Sequence, residues 1–206
     1  LETILKETDW DVVCLVSFKH NGITENLELS NRVTVHVHDL TTPISSVLIS
    51  KMGKIDYIVN AASLCSVDES IAYPVSFVQN NVNLALTMLE LARQVKPAVF
   101  LQVSTDEVYG AARGIPSNEQ AQHKPSSPYA ASKSAQEGLC WAYRRTYGVP
   151  AIVVNCSNMF GSRQSLKAYI PKVIRAAKRE ELIKVHVSRG NPGHRYYLHA
   201  SNLAKW

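Results

Sequence analysis

The chain has 206 residues, 46% of them hydrophobic and 19% charged, with a net charge of +5. That balance fits one domain with a sizeable core and excludes a disordered or low-complexity chain. The basic residues are dispersed except for Lys172, Arg175, Lys178 and Arg179 on one helical stretch, so the charge does not mark a nucleic-acid binder, and no apolar run is long enough to span a membrane.

In chain order, residues 1–7 read as the tail of a helix leading into a strand over 10–16. The alternating run Val33-Thr34-Val35-His36-Val37 gives a second strand, followed by a helix over 43–51 and a strand over 55–60. A long helix near 75–95 precedes a strand over 98–104. After it come a helix over 128–146, a strand over 151–156, a helix over 167–180 and a strand over 182–187. Strands separated by helices predict an α/β fold with a parallel, doubly wound sheet and right-handed crossovers.

Chemistry concentrates at the end of the fourth strand. Apolar Val99-Phe100-Leu101 turns into Ser104-Thr105-Asp106-Glu107-Val108-Tyr109-Gly110, and ligands of open α/β sheets bind just beyond that edge. Tyr129 and Lys133 follow, four residues apart in a stretch free of helix breakers, so a helix puts both side chains on one face. A lysine ammonium one turn away favours a phenolate, giving Tyr129 the character of a base for a substrate alcohol. The adjacent carboxylates Asp106 and Glu107 form an acid/base pair if their environments differ. Thr105 adds a hydroxyl to bond a substrate oxygen.

These residues, with Asn60-Ala61-Ala62, Ser66-Val67-Asp68-Glu69-Ser70-Ile71, the run 77–82, Asn155-Cys156-Ser157-Asn158 and Tyr169-Ile170-Pro171, resemble the extended short-chain dehydrogenase/reductase family. Within it they resemble the dTDP-glucose 4,6-dehydratase group, and the likeness runs from about residue 10 to the C-terminus. The Thr-Asp-Glu triplet discriminates, because related epimerases and decarboxylases keep the Tyr and Lys but usually lack the adjacent acid and base. The resemblance implies an NDP-hexose substrate such as dTDP-glucose. Tyr129, helped by Thr105 and Lys133, would deprotonate the C4 hydroxyl while NAD takes the C4 hydride. Glu107 would remove the C5 proton and Asp106 would protonate the departing C6 hydroxyl. Return of the hydride to C6 would give a 4-keto-6-deoxy sugar.

The same resemblance implies cofactor contacts from Asp39, Leu40, Ala61, Ala62, Asn81, Ser104, Tyr129, Lys133, Asn155 and Cys156. It implies substrate contacts from Ser66, Asn158, Lys167 and Arg195. Lys167 stands one position earlier than the family's lysine, and Tyr196-Tyr197 replace the Asp-Trp expected after Arg195. Val16-Ser17, with Lys19 and His20 nearby, stands where an acidic residue would meet the adenosine ribose, which leaves NADP open beside NAD. The glycine-rich loop and first strand of the Rossmann-type fold are expected before Leu1, and most of the small C-terminal substrate domain after Trp206. On this reading the dinucleotide-binding domain covers 1–187 and the substrate-binding region begins at 188–206.

Cys14, Cys65, Cys140 and Cys156 lie far apart, without redox or metal spacing, and the seven histidines make no metal motif. A reduced cytoplasmic setting and no metal are expected. A homodimer is expected through the long helix and the Tyr129 helix, with Leu84, Met88, Leu91, Leu139 and Tyr143 as candidate apolar contacts. The partner is a nucleotide sugar, with no nucleic acid and no membrane. An epimerase or decarboxylase on the same scaffold, or a non-catalytic binding protein, remains the alternative.

Overall fold

A computed structural model describes residues 1–19, 26–27, 30–111, 116–185, 187–188 and 190–205. His20 and His186 lie outside the described residues. The chain divides into two compact units: one of Leu1–Val12, Phe18–Thr34 and Ser157–Trp206, the other of Val13–Ser17 and Val35–Cys156.

The second unit carries the sheet that matters for chemistry. Strands β3 (Tyr57–Asn60), β4 (Val99–Thr105) and β5 (Ala151–Cys156) form a parallel ladder in that order. Parallel neighbours need crossover connections. Here α3 (Val67–Ala72) and α4 (Pro74–Val95) join β3 to β4, and α5 (Pro128–Tyr147) joins β4 to β5. Strands β1 (Val12–Val16) and β2 (Val33–Val37) form a second ladder, and α2 (Ser46–Met52) follows β2 in the chain. Among the described residues β1 and β3 are not hydrogen-bonded to each other, yet Val13 and Leu15 pack on the same core as Ile58 and Phe100.

The helices begin and end where local chemistry dictates. Ser127 Oγ accepts from the Ala130 N–H at 3.1 Å and Pro128 fills the first helical position, so α5 starts there. Gly148 ends it in the left-handed region at φ 69°. Leu84, Met88 and Leu91 are buried in the core of their own chain, and Leu139 and Tyr143 pack against it. Leu84, Met88 and Leu91 are thus covered within their own chain and are not free for the dimer face the sequence suggested. Their helical spacing marks the stripe facing the sheet, and burying each such side chain contributes about 1.5–3 kcal/mol.

Two further expectations change. Residues 181–185 form no strand, and Leu182 is 99% exposed, since no neighbouring segment among the described residues pairs with the run. Only Val187–Ser188 pairs, as β7, with β8 (Asn191–Pro192). Helix α3 is an addition, capped by Ser66 Oγ accepting from the Glu69 N–H at 3.2 Å.

In the first unit, α1 (Glu2–Glu7) is joined to the segment after β6 (Asn158–Phe160) by an Arg163–Glu2 ion pair of 2.6 Å. Strand β6 pairs in parallel with β9 (Tyr197–His199), and α6 (Tyr169–Lys178) and α7 (Ala200–Ala204) complete the unit. No helix among the described residues is long and apolar enough to cross a membrane.

Candidate active site

The ends of β4 and β5 lie side by side, with Ser104 opposite Asn155 and Thr105 opposite Cys156. Immediately after β4 the backbone tightens into a 3₁₀ turn over Asp106–Tyr109. Thr105 Oγ1 caps that turn, accepting from the Glu107 N–H at 3.3 Å, and its hydroxyl lies 3.4 Å from Asp106 Oδ1. The Thr105 side chain also draws the Tyr129 phenol toward its ionised form. One threonine therefore caps the turn that carries both carboxylates and acts on the tyrosine of α5.

Tyr129 is half-buried, its ring edge-on to the buried Phe77 of α4 with centroids 6.3 Å apart. Burial pushes its phenol up, with smaller upward contributions from Cys65 and Glu107 that Thr105 partly offsets. Lys133 is held by the chain itself. Its Nζ donates to the Val103 carbonyl at 2.7 Å and to Gln136 Oε1 at 2.8 Å. Lys133 is 4% exposed, and desolvation lowers it to about 8 against the raising influence of Cys156, Glu137, Cys140 and Cys65.

A buried carboxylate, Glu137, anchors both strand ends. It accepts from the Ser104 hydroxyl and from Asn155 Nδ2 at 2.7 Å, and His123 Nε2 lies 3.4 Å from its other oxygen. Asn155 Nδ2 also donates to the Thr105 carbonyl at 3.2 Å. The Cys156 thiol donates to the Ser104 carbonyl at 3.1 Å. Ser104, Asn155 and Cys156, cofactor candidates in the sequence, thus turn their side chains into this network. Asn81 turns its side chain to other buried partners. It is fully buried, donates to Ser132 Oγ at 2.9 Å and is bonded to both backbone groups of Leu64.

Glu137 was not singled out by sequence reasoning, although it continues the Tyr129, Lys133 stripe by another four residues. Gln102 and Gln136 were missed for a plainer reason, since an amide in a strand or helix has no periodic signature, and Asn60 entered only as part of the Asn60-Ala61-Ala62 match. Asp39 accepts from the Thr41 N–H and hydroxyl at 2.9 and 2.7 Å, shaping the turn after β2, and Leu40 is buried in the core. Ala61 and Ala62 follow β3 directly.

The remaining substrate candidates lie in the first unit. The Asn158 backbone and side-chain amides donate to the Tyr196 carbonyl at 3.2 and 3.4 Å, and Arg195 adjoins that residue. Lys167 is exposed on the turn before α6. Among the described residues no group of three or more His, Cys, Asp or Glu could hold a metal ion.

Polar residues at the ends of parallel strands, faced by a Tyr and a Lys one turn apart on a crossover helix, define a nucleotide-binding α/β fold. The chain belongs to the NAD dependent epimerase/dehydratase family, whose model matches residues 1–206. It is 39% identical over 162 residues to a probable dTDP-glucose 4,6-dehydratase of Sinorhizobium fredii, covering 73% of this chain and 46% of that protein. Among solved structures it is similar to a DesIV double mutant (dTDP-glucose 4,6-dehydratase) from Streptomyces venezuelae with NAD and DAU bound. The TM-score is 0.88 at 26% identity, covering 99% of this chain and 63% of that one. A UDP-N-acetylglucosamine 4-epimerase from Methanobrevibacter ruminantium M1, in complex with UDP-N-acetylmuramic acid, aligns with TM-score 0.82 at 27% identity, covering 95% of this chain and 63% of that one. The chain thus spans less than two thirds of the length of these relatives.

Proposed function

We propose that the protein to which this chain belongs is a nucleotide-sugar 4,6-dehydratase acting on an NDP-hexose such as dTDP-glucose through bound NAD. The observation that carries the reading is Thr105, which acts on the Tyr129 phenol while capping the turn of Asp106 and Glu107. An alcohol-deprotonating group and an acid/base pair then serve one sugar from one strand end. Similarity to the dehydratases supports it further.

The donor set at this edge suits the nicotinamide end of a dinucleotide. Lys133 has three N–H donors, of which two are committed within the chain, leaving one for a ribose hydroxyl. Ala61 and Ala62 present small side chains where backbone must approach closely. When bound, NAD accepts a hydride at the sugar C4 and returns it at C6, and its charge favours the Tyr129 phenolate. Tyr129 takes the C4 hydroxyl proton, with Thr105 holding the oxygen. Glu107 takes the C5 proton and Asp106 gives one to the leaving C6 hydroxyl, and Glu107 returns a proton to C5 as the hydride arrives at C6. Asp39, Leu40 and Asn81 shape the cofactor side, with Ser104, Asn155 and Cys156 supporting the strand ends. Ser66, Asn158, Lys167 and Arg195 are the proposed substrate contacts. We assign the dinucleotide-binding part to residues 1–187 and the start of the substrate-binding region to 188–206.

The protein is proposed to be a cytoplasmic homodimer. Support comes from four free cysteines and from the apolar surface of α5, where Trp141 is 60% exposed. The reading is tested by giving full-length protein dTDP-glucose and comparing Glu107→Gln with the parent. The variant should lose the 4-keto-6-deoxy product, with turnover about 10²–10⁴-fold lower, while still reducing bound NAD. A variant that forms product at the parent's rate would refute the assignment.

A further inference from the structure

The deepest polar feature of the second unit is a run of three amides between β3, β4 and α5. Asn60 Nδ2 donates to Gln102 Oε1 at 2.9 Å, and Gln102 Nε2 donates to Gln136 Oε1 at 3.1 Å. Gln136 Nε2 donates to the Asn81 carbonyl at 2.6 Å, and Gln136 Oε1 also accepts from Lys133 Nζ at 2.8 Å. Gln102 and Gln136 are fully buried and Asn60 is 1% exposed. Both polar ends of Gln102 and of Gln136 are bonded, whereas Asn60 Oδ1 is buried without a partner, and an unmade bond there costs the desolvation of the group.

The orientation of Gln136 follows from its partners. Its nitrogen faces a carbonyl of α4, which can only accept, so its oxygen faces the two donors. Both lone pairs of that oxygen are then used, one for Gln102 and one for the ammonium. Rotating the amide would set its NH₂ against Lys133 and Gln102 Nε2 and its oxygen against the Asn81 carbonyl, losing three bonds at once. Lys133 therefore meets a fixed acceptor on α5 and a fixed carbonyl on β4, and its third N–H has one direction left.

We propose that Gln136 is the positioning residue of Lys133. Locked by Gln102 and Asn81, it aims the ammonium and holds it charged at the strand edge. This rests on the dehydratase reading for its catalytic consequence, and on geometry alone for the state of Lys133. The ionisable groups that act on Lys133 are Cys65 before α3, Cys156 at the end of β5, and Glu137 and Cys140 on α5. Glu137 is already committed to Ser104, Asn155 and His123. Among the described residues Gln136 is the side chain that bonds the ammonium directly.

The test uses full-length protein labelled with 13Cε-lysine, with the Lys133 signal assigned by its loss in Lys133→Arg. In Gln136→Met the ammonium loses an acceptor, so its titration midpoint should fall by about one pH unit. The alkaline limb of kcat should fall with it, about tenfold in rate at a fixed pH beyond the limb. In Gln136→Glu a carboxylate faces the ammonium, and both midpoint and limb should rise. A merely structural role would lower thermal stability and leave both where they are in the parent, and that result overturns the proposal. Should Gln136→Met fail to fold, an unshifted midpoint in Gln136→Glu overturns it alone. Shifted midpoints in a protein that turns over no nucleotide hexose would support the positioning role and reject the dehydratase reading.

Discussion

Lys133 shows at the scale of one residue how environment decides charge at the strand edge. Desolvation outweighs all four neighbouring ionisable groups and brings its value from an ordinary 10.5 to about 8. Two hydrogen bonds keep the ammonium at neutral pH, each worth about 1.5–3 kcal/mol for a charged group. The folded value lies below the unfolded one, so between pH 8 and 10.5 the unfolded chain binds more protons than the folded chain. Lys133 opposes folding fully below pH 8, and the opposition lifts as pH climbs toward 10.5. Denaturation curves of the parent and Lys133→Met across that window should show the difference in Tm moving in the parent's favour as pH rises. A constant difference would mean that Lys133 titrates as an exposed lysine.

Among the elements, the 3₁₀ turn after β4 is the one whose geometry the site depends on most. It ends at Gly110, with φ at 80°, and a Cβ there would collide with the Lys124 carbonyl oxygen. The Lys124 N–H in turn donates to the Val108 carbonyl at 2.9 Å, tying the turn to the segment that leads into α5. Gly110→Ala should therefore destabilise the protein by more than about 1 kcal/mol, read as a lower midpoint in urea. An unchanged midpoint would show that the turn relaxes freely. Much of this level was legible in the sequence. β2 and β5 ran over the residues expected, because apolar runs bounded by polar turns leave little choice, and α5 was marked by Ser127-Pro128 at one end and Gly148 at the other. Helix α3 was not legible, since six residues are too few for a helical period to show. The run over 182–185 alternates like a strand but finds no strand beside it, and alternation alone cannot supply a partner. The Tyr129–Thr105 meeting was readable from motif order, whereas the Gln102–Gln136 bond, 34 residues apart in the chain, depends on packing that no local pattern records.

At the scale of the whole molecule, the proposed dimer can be tested on the outer surface of α5. Helix α5 buries Cys140 and Glu137 inward and turns Trp141 and Tyr147 outward, 60% and 50% exposed. An apolar pair of that size on one helix suits a second copy of the chain. Full-length protein should sediment as a dimer, and Trp141→Glu should shift it to monomer without loss of helical circular dichroism. A variant as dimeric as the parent would place the interface elsewhere.

The account stands most directly on where the hydride at the sugar C4 goes. Full-length protein supplied with dTDP-glucose carrying deuterium at C4 should yield a 4-keto-6-deoxy product with that deuterium at C6. The label would have left as Tyr129 took the hydroxyl proton and come back after Glu107 and Asp106 had removed water. Deuterium found at C4 of a sugar inverted there, with the C6 hydroxyl intact, would contradict the account and assign the site to epimerisation.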